Sequence, residues 1–277
     1  MTALKELLAK KLAKKELALL RASFDIIGSI AIIEVPRELI KKQKIIAAAV
    51  LSLNPYIKTV AKKSGGHTGR YRRQKLFILA GEKTKVTEHK ESGLRMKLNA
   101  ETCYFSPRLV TERMRIASLV KPGEKVLVMF SGIAPYPLVL AKHSPAKKIV
   151  GIEMNPEAHK YAVENIALNK LQHKIMLYKG DVKKILPELS EKFDRIIMPL
   201  PKTGEEFLDT ALAKIKKKGT IHLYQFAEEN KFAEAEQKVL KECKQLNRKC
   251  TILQIVKAGQ HAPRVFRVCL DVEVMGQ

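Results

Sequence analysis

The spacing of apolar residues along this 277-residue chain changes character twice. Over residues 3–22, Leu4, Leu7, Leu8 and Leu12 recur at three- and four-residue intervals with lysines between them, which predicts a basic amphipathic helix, packed on the body or on a polyanion. From Phe24 to Met96 the texture is one of short β-like runs (26–35 and 75–80), a helix after Pro36, and a basic, glycine-bearing loop at 62–73. These describe a small α+β domain over residues 23–98. After Asn99, apolar runs at 126–130, 148–154, 174–179, 193–200 and 219–226 alternate with helix-length intervals. That alternation predicts an α/β domain over residues 99–277, built on a mostly parallel, doubly wound sheet. The last two runs, 250–256 and 265–274, leave no room for a helix between them and must close as an antiparallel hairpin.

The run at 126–130 ends in Phe130-Ser131-Gly132-Ile133-Ala134-Pro135, and the run at 148–154 leads into Glu153-Met154-Asn155-Pro156. A strand, a small-residue turn, a helix-length interval and a second strand ending in a carboxylate form a nucleotide-binding βαβ unit. The turn carries one glycine and is followed by Pro135 and Pro137, so it serves a smaller zwitterion better than a pyrophosphate. Five alternating units closed by an antiparallel hairpin match the Rossmann-like class I sheet of S-adenosylmethionine (SAM)-dependent methyltransferases. The dehydrogenase sheet, whose last strand runs parallel, fits less well. Ligands of open α/β sheets bind beyond the carboxyl ends of the strands. The candidate cofactor contacts are therefore Phe130, Ser131, Gly132, Ile133 and Ala134, then Glu153 and Met154, then Asp181 with Val182, then Pro199. Glu153 is the candidate for the ribose hydroxyls and Asp181 for the adenine amine. Each is equally a residue that caps the next helix, and a sheet with no ligand is the bland alternative.

Charge adds the partner. With 52 Lys+Arg against 28 Asp+Glu the formal charge is +24, which points to a polyanion. The loop at 62–73 interleaves His67 and Tyr71 with arginines, a composition suited to phosphate contact and base stacking; a solvated surface excursion is the alternative. No apolar run approaches the roughly 18–20 residues that span a bilayer, and the charged N-terminus is unlike a signal peptide, so a cytoplasmic protein without membrane contact is expected. Cys103, Cys243, Cys250 and Cys269 lack C-x-x-C spacing and histidine companions, and no zinc or nucleophile-elbow motif occurs; free thiols and no metal are expected. Methyl transfer from a sulfonium needs neither: it is an in-line displacement that positions the acceptor and supplies a base for any released proton.

Residues 104–113, Tyr-Phe-Ser-Pro-Arg-Leu-Val-Thr-Glu-Arg, stand together with Phe24-Asp25-Ile26-Ile27-Gly28, Ile32-Ile33-Glu34-Val35-Pro36, the Phe130 turn, and Asn155-Pro156 ahead of Glu164-Asn165. On these motifs the chain, from about Phe24 onward, resembles the archaeal and eukaryotic tRNA guanosine-37 N1-methyltransferases. The archaeal branch that methylates C7 of 4-demethylwyosine shares them. The resemblance implies a SAM-dependent enzyme that modifies the purine at position 37 in the tRNA anticodon loop; a monomer is expected. Glu112 would be the general base, while Arg108 and Arg113 would organise the base pocket and the anticodon backbone, with Arg113 also beside the cofactor. Tyr104 would contact the cofactor or the target base, and Arg72 or Arg73 would steady the purine O6. Arginines around Glu112 favour its ionised form, although Arg108 and Glu112 could equally make an ordinary i,i+4 ion pair.

Three departures qualify this picture. Met198-Pro199-Leu200-Pro201 replaces the family's usual Asn-Leu-Pro, as in the 4-demethylwyosine C7 branch, which places Pro199 in the acceptor site. Val128 stands where an acid usually opens the first SAM motif. Little precedes Phe24 besides the basic helix, so the family's small N-terminal domain is expected to be missing. The competing functions are aminocarboxypropyl transfer from SAM to 4-demethylwyosine, a non-catalytic tRNA-binding module, and a small-molecule methyltransferase; the last leaves the charge unexplained.

Overall fold

The computed structural model describes residues 2–275. Its internal contacts divide the chain into two units, Met1–Pro107 and Arg108–Gln277.

The first unit contains α1 (Ala3–Leu8), α2 (Lys14–Leu19), β1 (Asp25–Ile27), β2 (Ile30–Ile33), a 3-10 turn (Arg37–Lys42), α3 (Gln43–Leu53), β3 (Thr59–Lys63), β4 (Leu76–Gly81), β5 (Val86–Glu91) and β6 (Leu94–Asn99). Strands β1 to β4 form one sheet in chain order, and β5 pairs with β6 as a hairpin. The single helix expected over residues 3–22 is two short helices. Both Lys11 and Leu12 return their N–H groups to Leu8 O, turning the chain, and Glu16 caps the restart at Ala13 N. The turn brings Leu12 inward. Leu4, Leu8, Leu12 and Leu20 share one core with Ala31, Ile33, Ile46 and Val50, so this segment packs on the body; Leu7 points outward. The apolar run at 26–35 also divides, at Gly28, whose φ of +55° makes the β1–β2 reversal.

The second unit contains α4 (Val110–Leu119), β7 (Lys125–Met129), α5 (Pro135–His143), β8 (Lys148–Glu153), α6 (Pro156–Leu168), β9 (Ile175–Lys179), α7 (Val182–Glu188), β10 (Phe193–Met198), α8 (Leu208–Lys214), β11 (Ile215–Glu228), α9 (Phe232–Gln245), β12 (Cys250–Ala262) and β13 (Val265–Val274). Its seven strands lie in the order β12-β13-β11-β10-β7-β8-β9. Strands β7 to β11 are parallel to one another, and β13 runs antiparallel between β11 and β12, as the expected closing hairpin requires. The chain leaves β7 toward β8 on one side and later fills the other side with β10, which makes the β7/β10 boundary the topological switch point where such sheets bind ligands. Strand β10 stops at Met198, short of the 193–200 run, because Pro199 has no N–H for the ladder and Leu200 N turns back to Met198 O. The core between sheet and helices is filled by Leu127, Met129, Val150, Ile196, Leu212 and Leu223.

Candidate active site

At the end of β7 the backbone enters the left-handed region three times in five residues: Phe130 at φ +60°, Gly132 at +58° and Ala134 at +70°. Two of these are not glycine, so the surrounding structure must hold the strain. Ser131 N donates to Ile152 O at 2.9 Å, Ala134 N to Ser131 O at 3.0 Å, and the buried Asn165 amide to Ile133 O at 3.1 Å. Pro135 then opens α5 at a position where a missing N–H costs nothing. The carboxylate of Glu153 bridges this turn to the next. Its Oε2 accepts from Gly132 N at 2.7 Å and its Oε1 from Asn155 N at 2.6 Å. Burial raises the Glu153 carboxyl above the usual range, against the pull of those backbone donors. The Met154 N–H pulls on the carboxyl as well, and a carboxylate offers about four acceptor positions, so the three backbone donors do not exhaust it.

The third and fourth strand ends join the same edge. Asp181 caps α7 by accepting from Lys183 N at 3.0 Å, as its alternative reading required. Val182 is buried in the core; the Phe130 ring meets Phe207 edge-on at 4.8 Å, and Lys183 Nζ lies 4.9 Å from the Phe207 centroid. A separate cleft of about 460 Å3 lies after β10 and along the end of β11, lined by residues that include Pro201, Gly204, Gln225 and Phe226 and by none of Gly132, Glu153 or Asp181. Ser131 Oγ gives an independent test of fit: it is buried and has no partner among the described residues, the condition expected of a group that meets a polar ligand.

The resemblance-based assignments fare unevenly. Glu112, in the first turn of α4, is only 5% exposed. Its Oε2 accepts from Arg115 Nε at 2.8 Å, and its Oε1 accepts from Arg115 Nη2 at 2.8 Å and from the Tyr224 hydroxyl at 2.6 Å. Tyr136 donates to Tyr224 at 2.8 Å. Arg115 also binds Asp271, through Nη1 at 2.7 Å. Asp271 meets His222 Nδ1 at 2.5 Å, and His222 Nε2 meets Arg195 Nη1 at 2.6 Å. Arginine only donates, so Nε2 accepts and Nδ1 carries the hydrogen. Burial depresses His222 despite Asp271, which agrees with a neutral ring. Burial would raise Asp271, but His222 and Arg115 outweigh it and hold the carboxyl far below the usual range. Arg113, expected in the base pocket, at the anticodon backbone and beside the cofactor, is 1% exposed. Arg108 is exposed at the start of the second unit, and Pro199 is half-buried directly after β10.

In the first unit, Arg72 sits 4.9 Å above the Tyr104 ring and Arg73 5.3 Å from that of Tyr71, with His67 edge-on to Tyr104 at 4.9 Å. The basic loop is thus folded onto Tyr104. Sequence reasoning missed Tyr136, His222, Tyr224, Asp271 and Arg195. The available signal was polar residues inside apolar strands, as in Ile221-His222-Leu223-Tyr224 and Leu270-Asp271-Val272.

The switch-point cradle on a sheet with β13 inserted antiparallel defines a class I Rossmann-like transferase. The chain belongs to the TRM5/TYW2 methyltransferase family: residues 87–253 match the TRM5/TYW2 methyltransferase domain, and residues 4–84 match the TYW2 N-terminal domain. It is 38% identical to tRNA (guanine(37)-N(1))-methyltransferase Trm5b of Pyrococcus abyssi over 92% of this chain and 76% of that one. The crystal structure of that enzyme superposes with a TM-score of 0.86, covering 96% of this chain and 79% of the other. Identity is also 38% to tRNA 4-demethylwyosine(37)-methyltransferase Taw21 of Saccharolobus solfataricus, over 75% of this chain and 79% of that one. The structure of Pyrococcus horikoshii TYW2 in complex with MeSAdo matches with a TM-score of 0.81 at 29% identity, over 98% of both chains.

Proposed function

We propose that this chain is a SAM-dependent tRNA methyltransferase acting on the purine at position 37 of the anticodon loop, at N1 of guanosine, C7 of 4-demethylwyosine, or both. The observation that carries the reading is the Glu153 carboxylate spanning Gly132 N–H and Asn155 N–H beside the unpartnered Ser131 Oγ. The relatives' names supply the reaction class and the acceptor. Bound SAM contributes a sulfonium carbon for transfer. The remaining acceptor positions of Glu153 take the ribose hydroxyls. Gly132, Ile133 and Ala134 present backbone to the methionine portion, Asp181 faces the adenine amine, and Phe130 with Phe207 walls the ring. Glu112 takes the proton released by the purine, Arg108 meets the anticodon backbone, and Arg72 or Arg73 steadies O6 with Tyr104 against the base.

Metal-free chemistry fits this reading, because the one buried His/Cys/Asp group among the described residues, His222, Cys269 and Asp271, is already engaged by Arg195 and Arg115. We also propose that the enzyme is a monomer, to be checked by light scattering. A cytoplasmic location fits the finding that no described helix is long and apolar enough to cross a membrane.

A second reading, transfer of the aminocarboxypropyl group, is favoured by the match of residues 4–84 to the TYW2 N-terminal domain. Incubating purified protein with SAM and tRNA bearing guanosine or 4-demethylwyosine at position 37, then weighing the nucleosides, separates the two. A methyl increment supports the first reading and an aminocarboxypropyl increment the second. Absence of either, with SAM bound, would overturn both.

A further inference from the structure

Resting on the proposed role of Glu112, we propose that Tyr224 and Arg115 are positioning residues that fix the Glu112 carboxylate and leave one acceptor position, on Oε2, for the substrate's proton. A carboxylate offers about four acceptor positions. Arg115 Nη2 and the Tyr224 hydroxyl occupy Oε1, and Arg115 Nε occupies one position of Oε2. The site left over is the only one at which a further proton can be received without displacing a partner.

Both positioning groups are themselves held. The Tyr136 hydroxyl donates to Tyr224 Oη, so the single Tyr224 hydrogen is directed at Glu112; these tyrosines are 3% and 1% exposed. Burial raises both hydroxyls, so they remain protonated donors across the working pH range. Arg115 reaches Asp271 through Nη1 at 2.7 Å and Nη2 at 3.3 Å, and Asp271 is fixed in turn by His222 and by Gln254 Nε2 at 2.7 Å. Arg115 thus cannot follow Glu112 if the carboxylate swings, and the rotamer is set from the sheet. In the step this serves, the purine N–H or C–H bond breaks, its electron pair stays on the ring, and the proton passes to Oε2. A carboxylate locked before the substrate arrives needs no reorientation at the transition state.

The test uses the full chain, SAM and a tRNA substrate, with single-turnover rates from rapid quench, tRNA KM from steady state and SAM Kd from calorimetry. Glu112→Gln should slow the chemical step by about 10²–10⁴-fold, the range for a general base. Tyr224→Phe, which removes one oxygen, should slow it about tenfold, the effect of one hydrogen bond to a charged group, with KM and Kd within about twofold. Asp271→Asn, remote from the acceptor, should act in the same direction. In the Glu112→Gln background, Tyr224→Phe should change nothing further, as expected for groups that act through one another. SAM-induced thermal shifts confirm that each variant is folded. If Glu112→Gln is inactive but Tyr224→Phe keeps the parent rate, or its effect is additive, the positioning proposal is overturned and the base assignment stands. If Glu112→Gln retains the parent rate, the base assignment itself falls.

Discussion

Replacing Glu153 by glutamine tests the cradle at its centre. The native carboxylate satisfies two backbone donors at once, Gly132 N–H at 2.7 Å and Asn155 N–H at 2.6 Å. A glutamine has one oxygen, so its NH2 must face the other N–H, donor against donor. An unmatched donor of this kind costs about 1–3 kcal/mol. Part of that is offset, because burial already opposes the carboxylate's charge and the amide carries none. The net loss of stability should therefore sit near about 1 kcal/mol, a fall in Tm of roughly 2–4 °C for a unit of this size. Binding should suffer more. A ribose hydroxyl donating to a carboxylate is worth about 1.5–3 kcal/mol, and the amide has lost an acceptor there, so SAM affinity should fall about 10–100-fold. Calorimetric titration with SAM, run beside a melting curve of the same preparation, measures both quantities. A variant with a near-parent Tm that binds SAM within twofold of the parent would refute the cradle as the ribose site.

Acidification should destabilise the second unit in two stages. Both His222 and Asp271 are held below their ordinary values of 6.5 and 3.8, so each stabilises the native state above its ordinary value and loses that contribution as pH falls below it; Asp271→Asn should remove the second stage from a plot of Tm against pH. Arg195→Met should cost about 3–5 kcal/mol in urea unfolding, because it strips the partner from Glu124 and the donor from His222, both buried or nearly so; a loss under about 1 kcal/mol would mean the pair is dispensable. Replacing Arg70, Arg72 and Arg73 by glutamine one at a time should weaken tRNA binding and lower the slope of log affinity against log salt by about one per lost phosphate contact, and an unchanged slope would remove the loop from the tRNA interface. Gly28→Ala should destabilise the first unit, since a Cβ there would lie 2.3 Å from Thr87 Oγ1 and 2.4 Å from Glu88 O with φ at +55°; denaturant midpoints measure the loss.

The alternating half of the chain was legible because its strands are continuous apolar runs, the form taken by parallel strands buried on both faces. Boundaries erred where one residue overruled the pattern, as at Pro199, which ends β10, and at Gly28, which divides one apolar run into β1 and β2. The β5–β6 hairpin was not legible from periodicity, since Val86–Glu91 carries Glu88, His89 and Lys90 in succession. Its signal lay in the turn, where Ser92 at φ +50° and Gly93 at +69° make the reversal favoured in two-residue hairpins. The N-terminal leucines gave a correct periodicity but could not reveal that the chain turns after Leu8. Among the candidate site residues, Gly132, Glu153 and Asp181 could be named because strand ends are predictable positions. Tyr224 and Asp271 were not, because within a strand nothing local distinguishes a polar residue that faces a partner from one that faces water.

That polar set raises a question of cause. Glu112, Arg115, Asp271, His222, Arg195 and Glu124 form one hydrogen-bonded chain that crosses α4, β13, β11 and β10. Well-packed apolar side chains of similar volume are often as stable as such buried ion clusters, or more so, so stability alone does not account for it. What apolar packing lacks is direction. A leucine in place of Arg115 would fill the space and leave Glu112 free to choose among rotamers, whereas the guanidinium fork admits one. One end of the chain is the Glu112 carboxylate at the start of α4 and the other is Glu124, just ahead of β7, and between them it is anchored in strands whose register is fixed by the sheet. That is the arrangement expected if the orientation of one carboxylate, and not the strength of the core, is what these residues supply.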